Sequence, residues 1–146
     1  MDVLTPFQAT WYPRVLALLR IVTGYLFITH GTAKHLKIPH VAMFDQLQVL
    51  SLPGIAGILE LVGGALIIIG LFTRPTAFVL SGLMACAYFI GHASRGTPLV
   101  PMLNGGELAV MYCFVFLFFW IAGAGAWSVD AMIRRNREGQ PIRPIL

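Results

Sequence analysis

The sequence predicts an all-α integral membrane protein, a bundle of four membrane-spanning helices with both termini on the cytoplasmic side. Of its 146 residues, 58% are hydrophobic and 11% are charged, which is far from the composition of a soluble domain. Four apolar segments each approach the ~20 residues that a spanning helix requires. Short polar connectors separate them, so we expect a single membrane domain over residues 1–146.

Prolines and helix-capping residues define where the predicted helices begin. Pro75 is well placed in a first helical turn, directly after a very short connector that makes the second and third helices antiparallel neighbours. Asn104, three residues before Glu107, has the spacing of a capping box and predicts the start of the fourth helix. The predicted spans are residues 15–33, 53–72, 76–93 and 107–123, followed by an amphipathic segment at 128–138.

The predicted orientation follows from the basic residues that flank the spans, which are commoner on the cytoplasmic side. The net charge of +4 does not indicate a nucleic-acid partner, because the basic residues are scattered along the chain. We expect a multi-pass protein of the bacterial inner (plasma) membrane, with residues 34–52 and 94–106 facing the periplasm. Arg14, Arg74, Arg134, Arg135, Arg137 and Arg143 lie on the cytoplasmic side, and Lys34, Lys37 and Arg95 on the other.

Ionisable residues inside the spans are expected to face the bundle interior, because inserting each costs roughly 2.5–3.5 kcal/mol. At 100° per residue, Arg20, His30 and Lys34 share one face of the first helix. Glu60 lies between two glycines on the second helix, where another helix can approach closely. The helical rise places His30 or Lys34 within reach of Glu60, whereas Arg20 lies too far toward the cytoplasm for a direct contact.

Polar residues near the outer ends of the helices predict a binding site that opens outward. The alternative is a structural pair between Glu60 and a basic residue, with the remaining polar groups in the headgroup layer. No metal site is expected, and whether Cys86 and Cys113 are in contact stays open. The catalytic candidates are Glu60, His30 and Lys34, and the substrate-binding candidates are Arg20, His92, Arg95, Asn104 and Glu107.

The order and spacing of six short segments resemble the DoxX family of small four-helix membrane proteins. The similarity covers about residues 14–131. Members of the DoxX family include membrane subunits of thiosulfate:quinone oxidoreductase, so the resemblance implies redox association and contact with a quinone. The segments are Leu19-Arg20, His30-Gly31 with Lys34, Glu60 to Gly64, Gly70 to Arg74, Asn104 to Glu107, and Trp127 to Asp130.

Four functional interpretations compete. The leading one is a redox-associated subunit that binds a quinone or a small anionic sulfur compound near the periplasmic side, with a partner subunit and an oxidoreductase activity of the thiosulfate:quinone type. The second is a non-catalytic scaffold or assembly subunit for a partner protein. The third is a small transporter, which we expect to require a homodimer because one chain lacks the usual repeat pair. A haem protein using His30 and His92 is the fourth.

Overall fold

The computed structural model describes residues 5–138, apart from the side chain of Arg95, and over that range the chain is helical without strands. Arg143, one of the basic residues from which the orientation was predicted, lies outside the described residues. A π-helical segment, Ala87–His92, and a 3-10 turn, Ala93–Arg95, continue the third helix. The α-helices are α1 (Pro6–His35), α2 (Leu52–Ile69), α3 (Thr73–Cys86), α4 (Pro101–Asn104), α5 (Glu107–Ala122) and α6 (Val129–Arg137).

Three helical stretches are long and apolar enough to cross a membrane. They are Pro6–His35, Leu52–Ile69 and Thr73–His92, the last including the π-helical continuation of α3. The apolar helix α5 is shorter, with 16 residues. The prediction of an all-helical membrane protein is therefore confirmed, while the count of four spans and the orientation of the termini stay predictions.

Helix α1 begins well before the predicted start at residue 15. Thr5 and Gln8 form a capping box, in which the Thr5 side chain accepts from the Gln8 N–H and the Gln8 side chain accepts from the Thr5 N–H. Pro6 occupies the first turn, where its missing N–H costs nothing. Pro13, which precedes the predicted span, consequently lies inside α1.

The predicted capping role of Asn104 is wrong. Asn104 ends the short helix α4, and Gly106 occupies the N-cap position of α5 without a side-chain capping bond. The Asn104 side-chain oxygen accepts from the Gly106 N–H at 2.9 Å, so it stabilises the turn between the two helices. A left-handed residue at Gly105, with φ of 72°, forms this turn and prevents one continuous helix.

Helix α1 packs along α2, and α3 packs along α5. Contact between α1 and α2 is close enough that a Cβ at Gly31 would lie 2.7 Å from the Leu61 nitrogen. A Cβ at Gly64 would likewise lie 2.8 Å from the Ile28 Cβ. This confirms that the glycines beside Glu60 allow a neighbouring helix to approach. The buried core includes Leu16, Phe27, Ile67, Leu80, Tyr112, Phe116 and Phe119.

Candidate functional site

A buried ion pair joins α1 to α2. The Lys34 ammonium donates to both carboxylate oxygens of Glu60, with Nζ–Oε distances of 2.6 and 2.8 Å. The side chains are 12% and 5% exposed, so neither group has much access to solvent. Glu60 shares a face of α2 with Gly57, whose lack of a Cβ leaves room for the His35 ring and the Lys34 side chain. The predicted contact between these helices is confirmed.

Further bases and a phenol surround this pair, and we call the set of Lys34, Glu60, His30, His35 and Tyr112 the Glu60 site. His30 and His35 lie within electrostatic range of the Glu60 carboxylate. The Tyr112 hydroxyl, on α5, also lies within electrostatic range of the Glu60 carboxylate. The Tyr112 ring packs edge-on to the half-buried His30 imidazole, with centroids 6.3 Å apart. His35 Nε2 donates to the Gly54 carbonyl at 2.8 Å. The site therefore concentrates several groups that can carry a proton around one carboxylate.

A second polar group lies where α3 ends and α4 begins. The His92 Nδ1 donates to the Asn104 carbonyl at 3.2 Å, and the Asn104 amide donates to the Tyr88 hydroxyl at 3.2 Å. Tyr88 in turn donates to the Pro98 carbonyl at 2.7 Å. These bonds fold the connector back onto α3. His92 and Asn104 thus have a structural function in addition to any contact with a ligand.

The substrate-binding candidates do not form one continuous group with the catalytic candidates. Among the side chains described within residues 5–138, no hydrogen bond or salt bridge joins Glu60 or Lys34 to His92 or Asn104. Glu107 is exposed at the first position of α5. The side chain of Arg95 is outside the described part of the protein, so its predicted role stays a prediction.

Arg20 lies at the opposite end of the bundle from the Glu60 site. Its side chain is fully buried, and it donates four hydrogen bonds to main-chain carbonyls. Two acceptors are at the end of α2 and two follow α5, including Trp127 at 2.8 Å. The predicted lack of contact with Glu60 is confirmed. The physical reason for burial is that helix and loop carbonyls require donors once they are removed from water.

Three of the short segments noted in the sequence meet at this Arg20 end. The Asp130 carboxylate accepts from the main-chain N–H groups of Phe72 and Thr73, at 2.9 and 2.8 Å, and so caps α3 from α6. The Asp130 N–H donates to the Gly70 carbonyl at 2.9 Å. Gly70 has a φ of 68°, and its missing Cβ leaves space for the side chains of Arg20 and Ser128. The contacts show that these segments stabilise the tertiary structure jointly.

Sequence reasoning missed Tyr112 and His35 as members of the Glu60 site. Tyr112 lies within an aromatic-rich apolar helix, so its pattern resembles that of a core residue. Its position on the face of α5 toward α1 depends on the packing of Phe27 against Tyr112 and Phe116, with ring centroids 5.2 and 4.8 Å apart. Helical periodicity within α5 does not by itself specify that α1 is the helix against which this face packs.

Comparison with known proteins gives a consistent assignment. The profile of the DoxX family matches residues 15–93. An uncharacterized protein of Haemophilus influenzae is 49% identical over 121 aligned residues, and the match covers 81% of this chain and 90% of the relative. No solved structure matches the chain.

Proposed function

The chain belongs to the DoxX family, and from that premise we propose that it is a redox-associated subunit of the bacterial inner membrane. In this proposal the Glu60 site binds a quinone or a small anionic sulfur compound near the periplasmic side. The chain forms one domain that crosses the membrane four times, with α5 as the fourth span and both termini in the cytoplasm. The single observation that carries the proposal is the buried Lys34–Glu60 pair inside apolar helices.

The chemistry of that pair suits a quinone. Reduction of a quinone to a quinol consumes two electrons and two protons, and the electrons would come from a redox partner subunit. The Lys34 ammonium can donate a hydrogen bond to a quinone carbonyl, and the Glu60 carboxylate can receive and pass on a proton. His30 and Tyr112 extend the set of proton-carrying groups beyond the pair itself. A small anion would instead bind to the Lys34 ammonium, as Glu60 does now.

The test is the quinone content of protein purified in mild detergent with its native lipid. We expect the parent to contain quinone in its lipid extract, and we expect Glu60→Gln and Lys34→Met to lose it. Lys37→Met is the matched control, because Lys37 is a largely exposed lysine near the same helix end. Folded variants that retain quinone to the same extent as the parent would refute the proposed site.

A second candidate function, that of a non-catalytic scaffold, is favoured by the hydrogen bonding of the Lys34–Glu60 pair. Both oxygens of Glu60 already accept from Lys34, an arrangement expected of a structural element in a non-catalytic scaffold. A scaffold would co-purify with a partner protein in stoichiometric amount and contain no quinone. The same preparation therefore separates the two functions, because the partner's presence and the quinone's presence are measured independently.

A further inference from the structure

We propose that a cavity at the Arg20 end binds a phosphate group, carried either by an anionic phospholipid or by a soluble phosphorylated compound. The cavity, of about 840 Å³, lies between the start of α1, the start of α3, the end of α5 and helix α6. It is at the opposite end of the bundle from the Glu60 site, and the proposal does not depend on the redox function. We call it the arginine cavity.

The charge of the lining favours an anion. Four arginines line the cavity, Arg14, Arg74, Arg134 and Arg135, against one carboxylate, Asp130. Within the described range 5–138, none of these arginines forms a salt bridge. Asp130 is already engaged by two main-chain N–H groups at the start of α3, so it does not neutralise the arginines by direct contact. Guanidinium groups bind phosphate strongly because their donors match its oxygens in pairs.

An unpaired hydroxyl in the lining is a second and independent observation. Thr73 is the first residue of α3 and is fully buried, yet its Oγ1 has no hydrogen-bond partner among the described residues. A buried hydroxyl without a partner is costly, and such groups are rare in proteins. Thr73 lines the cavity, but its Oγ1 has no accessible surface, so a phosphate oxygen would accept from it only after the side chains that cover it move aside. Phe72 and Trp127, which also line the cavity, both have φ of 48°, a strained conformation for residues other than glycine.

The neighbouring surface favours a lipid as the source of the phosphate. An apolar groove of about 320 Å³ runs between α2 and α3, and its lining includes Leu66, Val79 and Leu80. The groove and the arginine cavity share Phe72 and Pro75 as lining residues. A phospholipid can therefore place its phosphate among the arginines while one acyl chain lies against the groove. A soluble phosphorylated compound would use the cavity alone.

The experiment titrates delipidated, full-length protein in neutral detergent and follows tryptophan fluorescence, because Trp127 lines the cavity and is 38% exposed. The probes are anionic phosphatidylglycerol, zwitterionic phosphatidylcholine and soluble glycerol phosphate. We expect Arg74→Gln to weaken phosphatidylglycerol binding about tenfold, and a combined Arg134→Gln/Arg135→Gln variant to weaken it further. Arg137→Gln is the control, since Arg137 is exposed on the same helix and does not line the cavity.

Thr73→Val tests the hydroxyl, because valine has nearly the same shape and removes no hydrogen bond within the described protein. We expect it to weaken phosphate binding several-fold without lowering the unfolding temperature. Preferential binding of phosphatidylglycerol supports a lipid, whereas equal binding of glycerol phosphate with the same sensitivity to the arginine variants supports a soluble compound. Arginine variants that bind like the parent, or phosphatidylcholine binding as tightly as phosphatidylglycerol with no sensitivity to the arginine variants, would overturn the proposal. Glu60→Gln should leave this binding unchanged.

Discussion

Replacing Lys34 with methionine is expected to destabilise the protein strongly and to do so through Glu60. Methionine keeps most of the length and apolar volume of the lysine stem, so the change removes mainly the ammonium. The Glu60 side chain is 5% exposed and lies in the middle of α2, and both of its oxygens would lose their donor. A carboxylate at that depth cannot reach water by changing its rotamer, in contrast to a long lysine near a helix end.

The magnitude follows from the burial of the pair. Removing one partner of a buried pair costs about 3–5 kcal/mol, and the 12% exposure of Lys34 places this case near the lower limit. About 3 kcal/mol corresponds to a fall in unfolding temperature of about 10 °C for a chain of this length. Glu60→Gln should cost less, because the Lys34 ammonium near the end of α1 can turn toward the headgroup layer.

The assay is thermal unfolding in mild detergent, followed by circular dichroism, for the parent, both single variants and Lys34→Met/Glu60→Gln. The double variant should recover most of the loss seen in Lys34→Met, since no uncompensated charge is left in the apolar interior. A Lys34→Met protein as stable as the parent would refute this reasoning. So would a double variant whose loss equals the sum of the two single losses, because that result means the groups do not interact.

Three other changes have defined outcomes. Arg20→Met should lower stability by more than about 3 kcal/mol in the same unfolding assay, because it removes a buried charged donor from four main-chain carbonyls. Stability equal to the parent's would contradict the contacts described. Gly31→Val should cost at least about 2 kcal/mol because its side chain meets the backbone of α2, whereas Gly82→Ala, with open space around it, should change stability by less than about 1 kcal/mol. Asp130→Ala should cost about 1.5–3 kcal/mol and increase protease cleavage near α6, because it removes the cap on α3; an unchanged cleavage pattern would mean that α6 is held by other contacts.

Local sequence patterns were sufficient for the membrane class and for much of the helical order. Long apolar runs predict membrane helices because the bilayer leaves main-chain groups no other partners than those within a helix. Helical period and rise also predicted that His30 or Lys34 would reach Glu60, and in the structure Lys34 is joined to Glu60 at 2.6 Å. The positions of helix starts were less predictable. Asn104 has the spacing of a cap, but the left-handed turn at Gly105 redirects the chain before α5 begins.

Only the tertiary structure decided which polar residues share a site. Arg20, His30 and Lys34 lie on one face of α1, yet Arg20 binds carbonyls at one end of the bundle and Lys34 binds Glu60 toward the other. Tyr112 reaches the Glu60 site from a helix whose sequence reads as continuous core. The physical reason is that periodicity specifies the face of a helix, whereas the partner of that face depends on how the helices pack against one another, which involves residues distant in the chain.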